Sequence, residues 1–166
     1  MEQFLPEFVY GATDGTVTTF AIVAGAIGAH LSRTAVLVIG IASVLADGYS
    51  MGVSNYLSES TRHEQAGEPQ TAYKDHTPLA TAIATFVSFV AMGSLPLVPF
   101  ILTPRITTNV IYLSLAIALA VFAGIGYLRG IVTKRKYPLK TSAESLLIGG
   151  STAIIAYFIG VIVGHP

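Results

Sequence analysis

Five runs of about twenty residues, each nearly free of charge, constrain this chain more than any other feature. A helix needs roughly 20 apolar residues to cross the ~30 Å hydrocarbon core of a bilayer. The stretches from about Phe8 to Ala29, Ala35 to Leu57, Leu79 to Leu102, Ile106 to Leu128 and Ala143 to Gly164 all have that length. Only 11% of the 166 residues are charged and 52% are hydrophobic, whereas a soluble domain has about 25% charged residues. A soluble core of this size cannot hide so much apolar surface. The expected fold is an all-α integral membrane protein with five transmembrane helices, forming one domain over residues 1–166, and the lipid bilayer is its first partner. Net charge is zero, so no basic excess points to nucleic acid. Cysteine is absent, which excludes disulfides and thiolate metal sites. The acidic start, Met1 to Glu7, has no basic n-region, so no removable signal peptide is expected.

The punctuation fits. Thr77-Pro78 and Thr103-Pro104 each have the form of an N-cap followed by proline at the first helical position. Thr141 to Glu144 has capping-box spacing, which makes Glu144 a cap rather than a site. Pro96 and Pro99 should kink or end the third span. No breaker follows Leu57 until Gly67, so the second helix is expected to continue to about Ala66 and to protrude from the membrane. Basic residues set the orientation. Arg129, Lys134, Arg135, Lys136 and Lys140 follow span 4, and Arg62 and Lys74 follow span 2, while the opposite loops hold only Arg33 and Arg105. This asymmetry puts the N-terminus in the cytoplasm and the C-terminus, with His165, outside. Glycine pairs at four-residue spacing, Gly11/Gly15, Gly48/Gly52, Gly126/Gly130 and Gly160/Gly164, allow close helix approach.

Two carboxylates interrupt the apolar runs: Asp14 in span 1 and Asp47 in span 2. A charge at mid-membrane costs about 2.5–3.5 kcal/mol on insertion scales. No intramembrane lysine or arginine is evident near either acid, so a bound cation or a proton must balance them. Asp47 has a plainer alternative, a hydrogen bond to backbone at a helix crossing. Glu7, Tyr10, Asp14 and Thr18 share one face of the first helix, and Asp47, Met51, Asn55 and Glu59 follow four-residue steps down the second. Two such stripes on adjacent helices have the form of a cation path from mid-membrane to the cytoplasm. A thioether among carboxylates suits Fe²⁺ or a related transition metal better than Mg²⁺ or Ca²⁺, although a methionine between glycines also packs cores. Glu7 either serves the helix dipole or marks the entrance. The segment His63 to Glu68, with Asp75 and His76, reads as a solvated loop with metal-capable side chains, and His30 as an outer surface residue. Topology and anionic lipid suffice to explain Lys134 to Lys136.

At these residues the chain resembles the vacuolar iron transporter family. Asp14 to Gly25, Ala46 to Gly52 with Asn55 to Ser58, and Leu146 to Gly150 through Ala156 to Gly160 carry the resemblance. It implies a five-span homodimer that exports Fe²⁺, and often Mn²⁺, from the cytosol in exchange for protons. It implies that Asp14 and Met51 form the transport site near the dimer axis, with Glu7 matching a family glutamate beneath the aspartate. It also implies a departure. Many members insert a glutamate-rich metal-binding domain between spans 2 and 3, where this chain has only about 20 residues, as in a short-loop subgroup. The metal is cargo, and no resident cofactor is expected. No nucleophile–base pair or His-Glu-x-x-His motif suggests an enzyme. The alternative class is a non-transporting helical membrane scaffold or partner subunit. The compact chain favours a prokaryotic cell membrane over a vacuole.

Overall fold

The structure, a computed structural model, describes residues 4–67, 77–135 and 137–164. Expectations for Glu68, Lys74, Asp75, His76, Lys136 and His165 lie outside the described residues. The order of elements is α1 (Leu5–Gly28), α2 (Arg33–Ala66), α3 (Pro78–Gly93), a 3₁₀ turn (Leu95–Leu97), α4 (Val98–Leu102), α5 (Thr108–Val132) and α6 (Pro138–Gly164). The fold is all-helical, with no strand among the described residues. Four helical stretches, Arg33–Gln65, Pro78–Leu102, Thr108–Val132 and Pro138–Gly164, are long and apolar enough to cross a membrane. The remaining helix, α1, is also long enough at 24 residues but carries Glu7, Asp14 and four threonines. Its position accounts for part of this polarity: α1 packs against α2, α3, α5 and α6, which buries Thr16 and Thr19 but leaves Asp14 exposed.

Glycines set how closely α1 is gripped. A Cβ on Gly11 would meet the Thr85 carbonyl oxygen at 2.5 Å, and one on Gly15 would meet that of Phe89 at 2.5 Å. Farther along, Gly25 and Gly28 face Ala156 and Tyr157 of α6, whose Gly160 and Gly164 approach in turn. Gly48 and Gly52 press on Phe86 and Ala82 of α3. The expected glycine pairs therefore act inside one chain. Two apolar clusters fill the remaining space. One holds Val23, Val36, Val44, Leu97, Phe100 and Val110, and the other Phe20, Ala118, Phe122 and Ala153. Buried hydroxyls such as Thr16, Thr85 and Ser145 bond back to carbonyls of their own helices.

α2 runs 34 residues, or ~51 Å at 1.5 Å per residue. It ends at Gly67, in the left-handed conformation at φ 64°, as the sequence predicts. Thr77 caps α3, accepting from the Ala80 N–H at 3.2 Å. The proline-broken third span also appears, as a 3₁₀ turn and a short second helix, with Ser114 Oγ donating to the freed Pro96 carbonyl at 2.7 Å.

Two caps are corrected. Thr103 ends α4 in an extended conformation, which the following proline favours, and α5 begins four residues beyond Pro104 with Thr107 as N-cap. α6 begins at Pro138, so Thr141 lies within its first turns and bonds back to the Pro138 carbonyl. Glu144 is then no cap, and it pairs with Arg129 instead.

Candidate functional site

α1 leaves one side uncovered. Gly11, Gly15, Thr16 and Thr19 are buried, but Tyr10 is 60% exposed and Asp14 is exposed as well. Neighbouring helices cover the small residues, and a gap between α2 and α6, which do not form a principal contact, leaves the aspartate face open. In a bilayer that gap would set a carboxylate against hydrocarbon, so the face needs a cover.

Asp47 on α2 is half-buried and interacts electrostatically with Asp14. Among the described residues no ion pair reaches either carboxylate. Met51, one turn beyond Asp47 on the same side of α2, is half-buried. The structure thus brings together Asp14 and Asp47, with Met51 adjacent in the stripe. Among the described residues no group of three or more His, Asp or Glu side chains gathers into a ready-made metal cage. One chain supplies two carboxylates and a neighbouring thioether.

The lower parts of the two stripes are engaged differently. The Asn55 side-chain amide donates to Thr85 Oγ1 at 2.6 Å and to the Thr81 carbonyl at 3.4 Å, tying α2 to α3. Glu59 accepts from Arg62 at 3.3 Å and contacts His63 at 3.2 Å, on the extended end of α2. Glu7 sits in the first turn of α1, where its backbone carbonyl accepts from Ser88 Oγ at 3.3 Å. Its Oε2 is buried with no hydrogen-bond partner.

Two sets of residues were missed. Thr81, Thr85 and Ser88 recur at i, i+4 and i+7 along α3, a polar stripe legible in the sequence, and it faces Asn55 and the start of α1. Arg129 belongs to the last turns of α5, not to the loop. It lines, with Tyr10, Thr13, Asp14 and Thr133, a cleft of about 570 Å³ beside α1. The expected loop position of Arg129 is therefore corrected to a helical one. The signal was the missing helix breaker between Leu128 and Val132.

A family model described as the VIT family matches residues 5–70 and 62–161. The two matched segments meet at the α2–α3 connection. A protein named vacuolar iron transporter from Toxoplasma gondii is 44% identical over 62 residues, 37% of this chain and 20% of the relative. Against this relative and two similar Plasmodium proteins, the chain spans only about a fifth of the relative's length. Vacuolar iron transporter 1 of Arabidopsis thaliana is 24% identical over 220 residues, covering 98% of this chain and 87% of that protein. Vacuolar iron transporter homolog 4 of the same plant is 26% identical over 166 residues, covering 94% and 81%.

Proposed function

The chain belongs to the VIT family, and from that premise we propose that it is a membrane transporter for a divalent transition metal, Fe²⁺ or Mn²⁺. The observation that carries the reading is that Asp14 and Asp47 each lie within an apolar helix and, among the described residues, neither has a basic partner in an ion pair. Two carboxylates carry a charge of minus two, and a divalent cation cancels it. Met51 adds a soft donor that favours Fe²⁺ over Mg²⁺ or Ca²⁺.

Transport is out of the cytosol, coupled to protons. Arriving metal displaces protons from the carboxylates, and reprotonation on the far side releases it. Glu7, with its unpartnered oxygen, receives metal at the cytoplasmic end, beside the Asn55 and Glu59 stripe. The open face of α1 supports a C₂ homodimer in which a second copy covers Tyr10 and Asp14 and doubles the ligands. The basic residues put the ends of α2 and α5 in the cytoplasm. The α2–α3 connection is the short form, without a metal-binding domain. The named relatives are eukaryotic and called vacuolar, which lends no support to a prokaryotic cell membrane.

The test is metal flux into proteoliposomes, comparing Fe²⁺, Mn²⁺ and Zn²⁺ with and without an imposed pH gradient. Fe²⁺ and Mn²⁺ should move, and faster with the gradient. Flux indifferent to pH would remove proton coupling. No flux of any metal would favour a helical scaffold, whose polar groups, like Asn55 on Thr85, only join helices.

A further inference from the structure

Two metal-capable side chains converge near the C-terminal end of α2, well away from Asp14 and Asp47. The sequence reading put His63 at the start of a loop, but α2 continues to Ala66 and sets Glu59 and His63 four residues apart on one helix face. His63 Nε2 lies 3.2 Å from Glu59 Oε1, and the two side chains are only 15% and 18% exposed. The other oxygen of Glu59, Oε2, is held by Arg62 Nη1 at 3.3 Å. Arg62 thus fixes the back of the carboxylate while its front oxygen faces the imidazole. Two donors that share one metal ion at about 2.1 Å, with angles between octahedral and tetrahedral, stand about 3.0–3.4 Å apart. The Glu59–His63 separation falls in that range. Four-residue spacing on one helix face is also the spacing at which a helix chelates a metal.

We propose that Glu59 and His63 form a second metal site, a two-donor chelate for a divalent transition metal at the cytoplasmic end of α2, which loads the transport path. The donors assign the ligand class. Imidazole suits Fe²⁺, Zn²⁺ and related ions, whereas Mg²⁺ and Ca²⁺ prefer oxygen donors alone. Among the described residues no third His, Asp or Glu joins the pair, so water completes the coordination. Two protein donors hold an ion loosely, as a site that must pass its ion onward requires. Arg62 acts from behind the first donors, orienting the carboxylate rather than touching the metal. Met51 lies two four-residue steps back along α2, about 12 Å along the helix axis. The loading role rests on the reading of Asp14 and Met51 as the transport site; chelation by Glu59 and His63 does not.

The test is Co²⁺ binding to the purified full chain by equilibrium dialysis, in mildly alkaline buffer because metal ligands must be deprotonated, with thermal melting to check folding. It is run on the parent and on Asp14→Asn, which disables the membrane site. Asp14→Asn should still bind Co²⁺, and excess Mg²⁺ should not displace it. Adding His63→Ala to Asp14→Asn should weaken binding about tenfold or more. Adding Glu59→Gln instead should do the same, which keeps the proposal testable if one variant fails to fold. Glu64→Gln, at an exposed carboxylate on the same helix end, should leave the affinity unchanged. Lower melting temperatures in the His63 and Glu59 variants with unchanged Co²⁺ affinity would make the pair an ordinary ion pair and overturn the chelate. Displacement by Mg²⁺ would overturn the assigned metal class. Loss of all Co²⁺ binding in Asp14→Asn alone would overturn the chelate and leave the transport site standing. Binding that depends on His63 but is equal in the parent and Asp14→Asn would uphold the chelate and count against Asp14 as a metal ligand.

Discussion

On the proposed reading, Asp14, Asp47 and Met51 divide the work at the site by chemistry. Asp14 supplies charge, so Asp14→Asn should abolish transport in proteoliposomes, because an amide cannot trade a proton for a cation. Met51 supplies softness. Met51→Leu keeps the volume at a cost usually under ~1.5 kcal/mol, yet should reduce Fe²⁺ flux more than Mn²⁺ flux, since Mn²⁺ lies lower in the affinity order and accepts oxygen ligands. Equal loss of both metals would make Met51 a steric element instead. Asn55 is the residue whose sequence reading changes most. Its bonds to Thr85 and Thr81 give it a partner on α3, so Asn55→Leu should lower the melting temperature, by a bond worth about 0.6–1.7 kcal/mol in a membrane protein. Both carboxylates were legible as polar interruptions in apolar runs. That they interact with each other was not, because it depends on how α1 and α2 cross.

At the scale of elements, the grip on α1 is the part most open to test. Gly15→Ala would drive a Cβ into the Phe89 carbonyl oxygen at 2.5 Å, and backbone cannot give way as a flexible side chain can. The α1–α3 contact should loosen by about 1–3 kcal/mol, seen as a lower melting temperature in detergent. Gly124→Ala is the control. Nothing lies within 4 Å of a Cβ at that position, so it should melt no lower than the parent. α2 was the best-read element, because Gly67 is a local stop signal and its left-handed φ of 64° meets the expectation. The caps at Thr103 and Thr141 were misread for a common reason. A hydroxyl before an apolar run looks like an N-cap, but both side chains bond backwards, to Pro99 and to Pro138, within helical segments that a local pattern does not locate.

The whole molecule makes its own predictions about sidedness and assembly. The chain has no cysteine, so single cysteines report cleanly. Cysteine in place of Arg135 should react with an impermeant thiol reagent only from the cytoplasmic side, and in place of Thr107 only from the outside; the reverse pattern would invert the topology. Cysteine in place of Tyr10, on the open face of α1, should cross-link to a second copy in the membrane. Cysteine in place of Leu113, 53% exposed on α5, should not. Failure of the Tyr10 cross-link would leave the open face to some cover other than a second copy.

The sequence alone determined that the chain is helical and membrane-bound, how far α2 extends, where the third span breaks, and that Asp14 and Asp47 are out of place in their runs. Each of these follows from hydropathy and backbone preference, which accumulate locally along the chain. The tertiary structure decided that α1 is the central helix, that Asn55 joins α2 to α3, that the glycine pairs act within one chain, and that Arg129 shares a cleft with Asp14. These depend on which helix faces meet. That is a property of two surfaces and the small residues that let them approach, and no single segment carries it.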